Sequence, residues 1–253
     1  MHKYSLLFVI LLMLYKTSLG IELPDDIKKC HFGDSQCLIN TINDLIRRYP
    51  NGIPGIGLAP LNVTQLDDIS IVNRPNGASV WLSFYLQNLT NKGFNNATIT
   101  QVIGFNKDPS SSSMIIKAHI PRLIHKGTYN MLSRILLFRA NATGSFCSEF
   151  LNFRLEMLIK TIQEYRNNKR YLRIYELKPK VDLQRWIISL DSLYTENTDM
   201  TIVMNNVINE NWLEFWQELE PSMLKTFELC LTLILKRVFD NVAYDDLFLP
   251  DEY

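Results

Sequence analysis

One stretch near the end of the chain limits what the rest can become. Residues 205–249 read NNVINENWLEFWQELEPSMLKTFELCLTLILKRVFDNVAYDDLFL. Leu224, Phe227, Leu231, Ile234 and Val238 recur there at steps of three and four, one stripe of an α-helix. Leu229, Leu233 and Leu235 widen the stripe, so the helix is apolar around much of its girth. Such a helix needs apolar partners on several sides. Over 212–239, a rise of ~1.5 Å per residue makes it roughly 40 Å long, the spine of an elongated molecule. It is too interrupted to span a membrane: Glu228 and Lys236 enclose only seven residues, where a span needs about 20. Pro221 lacks a backbone N–H and biases Glu220 away from helix, which predicts a kink or a division there. A plain core helix with no ligand duties is the alternative reading.

The chain ahead of this helix is built mostly on a period of two. Candidate strands are 63–73, 79–90, 95–106, 113–124, 128–140, 145–160, 171–177, 180–191 and 199–205. The clearest interleaves Leu151, Phe153, Leu155 and Met157 with Asn152, Arg154 and Glu156, one buried face and one wet face. Turn signals separate the strands at Arg74-Pro-Asn-Gly, Asn91-Lys-Gly, Lys107-Asp-Pro with its four serines, and Lys126-Gly. The polar run 164–170 reads as a hairpin tip. Before the strands, Leu38, Ile42, Leu45, Ile46 and Tyr49 mark an amphipathic helix of about three turns, with Asp34 or Ser35 as its N-cap. Long antiparallel strands followed by one long apolar helix predict a sheet curled around that helix. No repeat, linker or composition break divides residues 21–253, so the reading is a single domain.

The first twenty residues have the form of a secretory signal: His2 and Lys3, an apolar run over 6–14, then Ser18-Leu19-Gly20. Its removal leaves 233 residues with 24 basic against 26 acidic side chains. A near-neutral chain without basic runs argues against a nucleic-acid partner. Four acceptor sequons, at Asn62, Asn88, Asn96 and Asn141, support a secreted, extracellular glycoprotein. Four cysteines in an exported chain suggest oxidation. Cys30 and Cys37, enclosing six residues, are expected to form a bridge. Cys147 and Cys230 could both face the core; two buried free thiols are favoured over a second bridge.

No reaction chemistry is spelled out. His31, His119 and His125 fall in no zinc-binding pattern, and there is no nucleophile elbow, phosphate loop or Cys-x-x-Cys. Gly55-Ile-Gly-Leu-Ala-Pro fails as a dinucleotide-binding turn, because it follows a helix and places proline at the third glycine. Asp245-Asp246 lacks the loop spacing of a calcium site. The expectation is a non-enzyme with no metal and no cofactor.

Several segments together carry a family likeness. They are Asn209-Glu-Asn-Trp212 with Glu218-Leu-Glu-Pro221, Val238-Phe-Asp, Tyr244-Asp-Asp-Leu-Phe248, the pair Cys30 and Cys37, and Gly52-Ile-Pro-Gly-Ile-Gly-Leu-Ala-Pro-Leu61. Asn88-Leu-Thr-Asn-Lys-Gly93 and Lys126-Gly-Thr-Tyr129 add to them. In their order and spacing the chain resembles the takeout and juvenile-hormone-binding protein family of insects. Departures occur at Ala243, where the family often has proline, and at Ala140-Asn-Ala-Thr-Gly144, where a glycine-rich turn is usual. The resemblance implies an α+β fold, with a long C-terminal helix wrapped by a strongly curved antiparallel sheet and an apolar tunnel between them.

The function this implies is a secreted carrier of a small hydrophobic ligand, such as a juvenile-hormone-like terpenoid, a fatty-acid derivative or an odorant. It would bind mostly by apolar burial, with a few polar groups setting orientation and no stable membrane insertion. A ligand of about 20 heavy atoms, at roughly 0.3–0.5 kcal/mol each, binds in the micromolar to nanomolar range. Candidate wall residues are Trp81, Phe138, Phe153, Trp186, Trp212, Trp216, Phe227 and Leu231. Tyr129 or Tyr175 could donate a hydrogen bond to the ligand. The alternative is a secreted protein-interaction module whose core is filled by its own side chains.

Overall fold

The computed structural model describes residues 21–73, 80–135, 138–194 and 197–250. The expected signal segment, the Arg74-Pro-Asn-Gly turn signal and the side chain of Phe138 lie outside what is described. Helix α1 spans Ser35–Arg48, capped by the Asp34 side chain accepting from the Cys37 N–H. The strands are β1 Val63–Gln65, β2 Ile69–Asn73, β3 Val80–Lys92, β4 Thr98–Ile103, β5 Met114–Ile135, β6 Phe138–Arg166, β7 Lys169–Asp182 and β8 Arg185–Leu190. Helices α2 Thr198–Glu210 and α3 Trp212–Asn241 follow, then a short 3-10 turn over Tyr244–Leu247.

All eight strands form one antiparallel sheet around the long β5–β6 ribbon. Along one edge of β5 lie β4 and then β3, end to end; along the far edge of β6 lie β7 and then β8. Strands β1 and β2 extend the β3 side. Helix α3 packs against β2 at one margin and against β7 and β8 at the other. The sheet is curled but not closed, and α3 fills the opening, as the order of strands and helix predicted.

Two expected strands, 113–124 and 128–140, are largely one. The Lys126-Gly signal is not a turn: β5 runs through it, pairing Gly127 with Phe146. Opposite Gly127 the strand β3 bulges, with Asn88 in the left-handed region at φ 53°. A side chain on Gly127 would come within 2.7 Å of the Gln87 carbonyl oxygen, so glycine serves close strand approach here. The expected tip over 164–170 closes on only Asn167 and Asn168, both left-handed, as a two-residue hairpin requires.

A second irregularity re-aims the whole ribbon. From Met114 to Ile120 the buried residues of β5 are even-numbered; from Leu123 they are odd. Strand β6 changes with it, from Leu155 and Phe153 to Phe150, Ser148 and Phe146. The change falls where Pro121 faces Asn152, the latter left-handed at φ 48°. Proline has no N–H to give, so the ladder skips this pair. Cys147 is therefore turned toward the outer face beside Glu149, against the expectation that it could face the core.

The stretch 199–205 is helix, not strand. Asn197 caps it by accepting from the Met200 N–H, and Thr201, Met204 and Ile208 form its buried face at steps of three and four. Helix α3 is assigned continuously through Pro221, and the division falls instead at Asn211. Its buried face is Trp216, Leu219, Thr226, Phe227, Cys230, Leu231 and Phe239, while Leu229 is 46% exposed. The real stripe is rotated from the expected one.

Asparagines on the helices satisfy free strand edges. Asn205 and Asn209, one turn apart on α2, each bridge an N–H and a carbonyl of one β8 residue: Leu190 at 2.9 and 2.8 Å, Ile188 at 2.8 and 2.7 Å. Asn43 of α1 does the same for Ile99 of β4, at 2.7 and 2.9 Å. A side-chain amide carries one donor and one acceptor side by side, so it replaces a missing strand.

The termini close on each other. Cys30 and Cys37 are disulfide-bonded, Leu249 N–H donates to the Cys30 carbonyl, and Phe32 stacks on Phe248 at 4.3 Å. Asp246 pairs with Lys169 at 2.6 Å and Asp245 with Arg170. These carboxylates tie the last turn to β7. Among the described residues no group of His, Cys, Asp and Glu is arranged to hold a metal ion.

Candidate functional site

Between the N-terminal half of α3 and the concave face of β2, β3, β5, β6 and β8 lies an apolar cavity. Its enclosed volume is about 70 Å³, so a larger guest must displace lining side chains. Strand β2 contributes Ile69 and Ile71, strand β3 Phe84, Leu86 and Leu89, and strand β8 Trp186, Ile188 and Leu190. Helix α3 covers them with Leu219, Met223 and Thr226. The β3 bulge at Asn88 makes this wall possible, because it turns both Phe84, Leu86 and the later Leu89, Asn91 inward. Met223 is the adaptable part of the lining, an unbranched chain able to shift for a guest.

Beside the cavity sits an aromatic cluster. Phe150 meets Phe153 at 5.8 Å, Trp216 at 6.0 Å and Phe227 at 5.7 Å between ring centroids, and Trp216 meets Trp186 at 5.9 Å. Of the wall residues nominated from sequence, Trp186 lines the cavity. Phe153, Trp216, Phe227 and Leu231 are buried in the adjoining core. Trp81 is half-buried on β3, paired in register with Arg134. Trp212 is half-buried at the start of α3, with the Arg185 guanidinium 5.7 Å over its ring. Neither proposed tyrosine reaches the site: the Tyr129 hydroxyl donates to the Asp191 carbonyl, and Tyr175 is 60% exposed.

Sequence reasoning missed the cavity's polar residues. Asn91, His125 and Ser148 all line it. They stand in one row across three strands, Asn91 opposite His125 and His125 opposite Ser148. The Ser148 oxygen accepts from Trp186 Nε1 at 2.7 Å. Asn91 Oδ1 and His125 Nε2 are buried with no hydrogen-bond partner among the described residues. Each such group costs about 1–3 kcal/mol. Burial pulls the His125 imidazole down to about 4, so it is neutral at physiological pH, its ring packed edge-on against Phe150 and Phe227. No local motif announces the three, because 34 and 23 residues of chain separate them and only strand register unites them.

An open curled sheet, a long helix across its gap and an apolar cavity beneath that helix are a distinctive combination. The description of the haemolymph juvenile hormone binding protein family matches residues 7–249. The chain belongs to this family. The family is named for binding a hormone rather than for a reaction. The fold is shared with the crystal structure of Takeout 1 from Epiphyas postvittana, at a TM-score of 0.67 and 20% identity over 88% of this chain and 97% of that one. A lipopolysaccharide binding protein aligns at a TM-score of 0.32 and 11% identity, over 82% of this chain and 40% of the other, too loosely to carry an argument. No curated protein matches the sequence.

Proposed function

We propose that this protein is a secreted, extracellular carrier that binds one small hydrophobic molecule beneath α3. The supporting observation is the apolar cavity itself, walled by isoleucines, leucines and Trp186 from both margins of the sheet. Unfilled apolar space weakens packing, which favours a use for it over a core filled for stability alone. Terpenoid and fatty-acid derivatives have the required chemistry. The cavity is tightly walled, so an extended ligand reaches its mouth or displaces Met223. Glycans on Asn88, Asn96 and Asn141 suit the export reading, since all three are exposed; Asn62 is half-buried and bonds Asn51 and Val63.

The test is native mass spectrometry of the protein secreted from eukaryotic cells, before and after organic extraction. A removable adduct of a few hundred daltons, together with saturable binding of uncharged N-phenyl-1-naphthylamine, is the expected result. No adduct and no saturable binding would return the protein to a side-chain-filled interaction module.

A further inference from the structure

The row Asn91–His125–Ser148 is a structural expense in a wall that is otherwise apolar but for Thr226, whose hydroxyl donates to the Ser222 carbonyl. Asn91 is 1% exposed, His125 7% and Ser148 3%. Adjacent strands stand ~4.8 Å apart, so the row covers roughly 10 Å across the cavity floor. We propose that this row is the polar anchor of the ligand site, and that it selects an uncharged hydroxyl at the end of an otherwise apolar chain. The inference rests on the carrier reading above.

The chemistry of the three groups narrows the ligand. Asn91 Oδ1 is an acceptor without a donor, so the ligand must bring a hydrogen. Ser148 already accepts from Trp186, which leaves its own hydroxyl hydrogen to donate. His125 Nε2 is unpaired and can take either role according to its tautomer. A ligand hydroxyl both donates and accepts, so it can give its hydrogen to Asn91 Oδ1 and accept from the neighbouring group of the row. An ester or ketone only accepts, and leaves Asn91 unpaired. A carboxylate finds no cation in the lining and brings a buried charge, which is unfavourable without a partner. A hydrocarbon leaves Asn91 Oδ1 and His125 Nε2 unpaired.

The test is displacement of N-phenyl-1-naphthylamine at pH 7.5 by four compounds sharing a twelve-carbon chain: dodecane, 1-dodecanol, methyl dodecanoate and dodecanoate. The alcohol is expected to bind about tenfold more tightly than each of the others, the worth of one well-made buried hydrogen bond. In Asn91→Leu that advantage falls to within about twofold of dodecane measured on the same variant. The ring of His125 supplies a readout that needs no variant: the ¹⁵N shift of Nε2 moves on addition of dodecanol and stays still with dodecane.

Equal binding of all four chains would overturn the anchor and leave the carrier intact. Methyl dodecanoate matching the alcohol would overturn the requirement for a donor. Dodecanoate binding tightest would show that the site takes an anion, with proton uptake by His125, and would overturn the hydroxyl assignment. No displacement by any chain would end both the anchor and the carrier reading.

Discussion

Between Met114 and Ile120 the central ribbon buries methionine, isoleucine and alanine against Leu155, Met157 and Ile159, and beyond Pro121 the same two strands bury His125, Tyr129, Ser133 and Ser148. The two regions belong to one sheet, continuous in register, yet they spend their inner faces differently. Toward β4 and β7 the ribbon is a filled core, with Met114 and Ile159 facing each other at 0% exposure. Toward β3 and β8 it is the floor of a cavity, with two buried polar atoms unpaired. The coordinated kink at Pro121 and Asn152 marks the border. On the proposed reading, the capacity to bind lies on the cavity side of it.

Removing a side chain from the filled half gives the largest expected effect. Ile159→Ala should cost about 3–4 kcal/mol in urea unfolding, with probe affinity in the surviving folded protein within about twofold of the parent. A large loss of probe affinity would break the division.

The next effect is a pH dependence confined to the cavity half. His125 has its folded pKa depressed to about 4 from an ordinary 6.5, so between these values the unfolded chain binds more protons than the folded one. Its burden is absent above about pH 6.5, grows as pH falls, and is complete near pH 4 at roughly 3 kcal/mol. Relative to wild type, His125→Leu should therefore gain stability steadily from pH 6.5 to 4, measured by denaturant unfolding at each pH. A difference that is flat with pH contradicts the burial of a neutral ring.

The asparagine clamps sharpen the comparison, because each half has its own. Asn43→Ala strips the β4 edge and Asn209→Ala the β8 edge, each leaving an N–H and a carbonyl without their partner. Each should cost about 1–3 kcal/mol. Hydrogen exchange should accelerate at Ile99 in the first variant and at Ile188 in the second. Only the second should also weaken probe binding, since Ile188 lines the cavity. The smallest change in stability is expected from Leu86→Ala, about 1 kcal/mol by urea unfolding, because half-buried Leu86 borders space already empty. Its probe affinity should nevertheless change more than that of Ile159→Ala.

Much of the architecture was legible because the signals are repetitive. Period-two alternation over 151–157 and the apolar stripe of α3 each repeat, so the strands, the helix and the wrapped arrangement could be anticipated. What failed was local and singular. Pro121 and Asn152 invert a face with one pair of residues, and a parity argument carried across them misplaced Cys147. The apolar run 199–205 suits strand and helix alike, and the Asn197 cap with Thr201, Met204 and Ile208 decided for helix. Lys126-Gly resembles a turn until the β3 bulge is known to press on it. Of the aromatics nominated for the site, Phe153, Trp216 and Phe227 lie in the adjoining core while Trp186 lines the cavity, because bulk alone does not separate a wall from a filling. Asn91, His125 and Ser148 acquire meaning only from a register joining three strands.

The division between a filled half and a binding half is tested most directly by intrinsic fluorescence quenching with 1-bromododecane, whose heavy atom acts only at short range. Trp186 lines the cavity and Trp216 packs on it at 5.9 Å, whereas Trp81 and Trp212 do not line it. The account predicts saturable quenching that is mostly lost in a Trp186→Phe, Trp216→Phe double variant of unchanged fold. Absence of saturable quenching, or quenching of the same depth in the double variant, would contradict it.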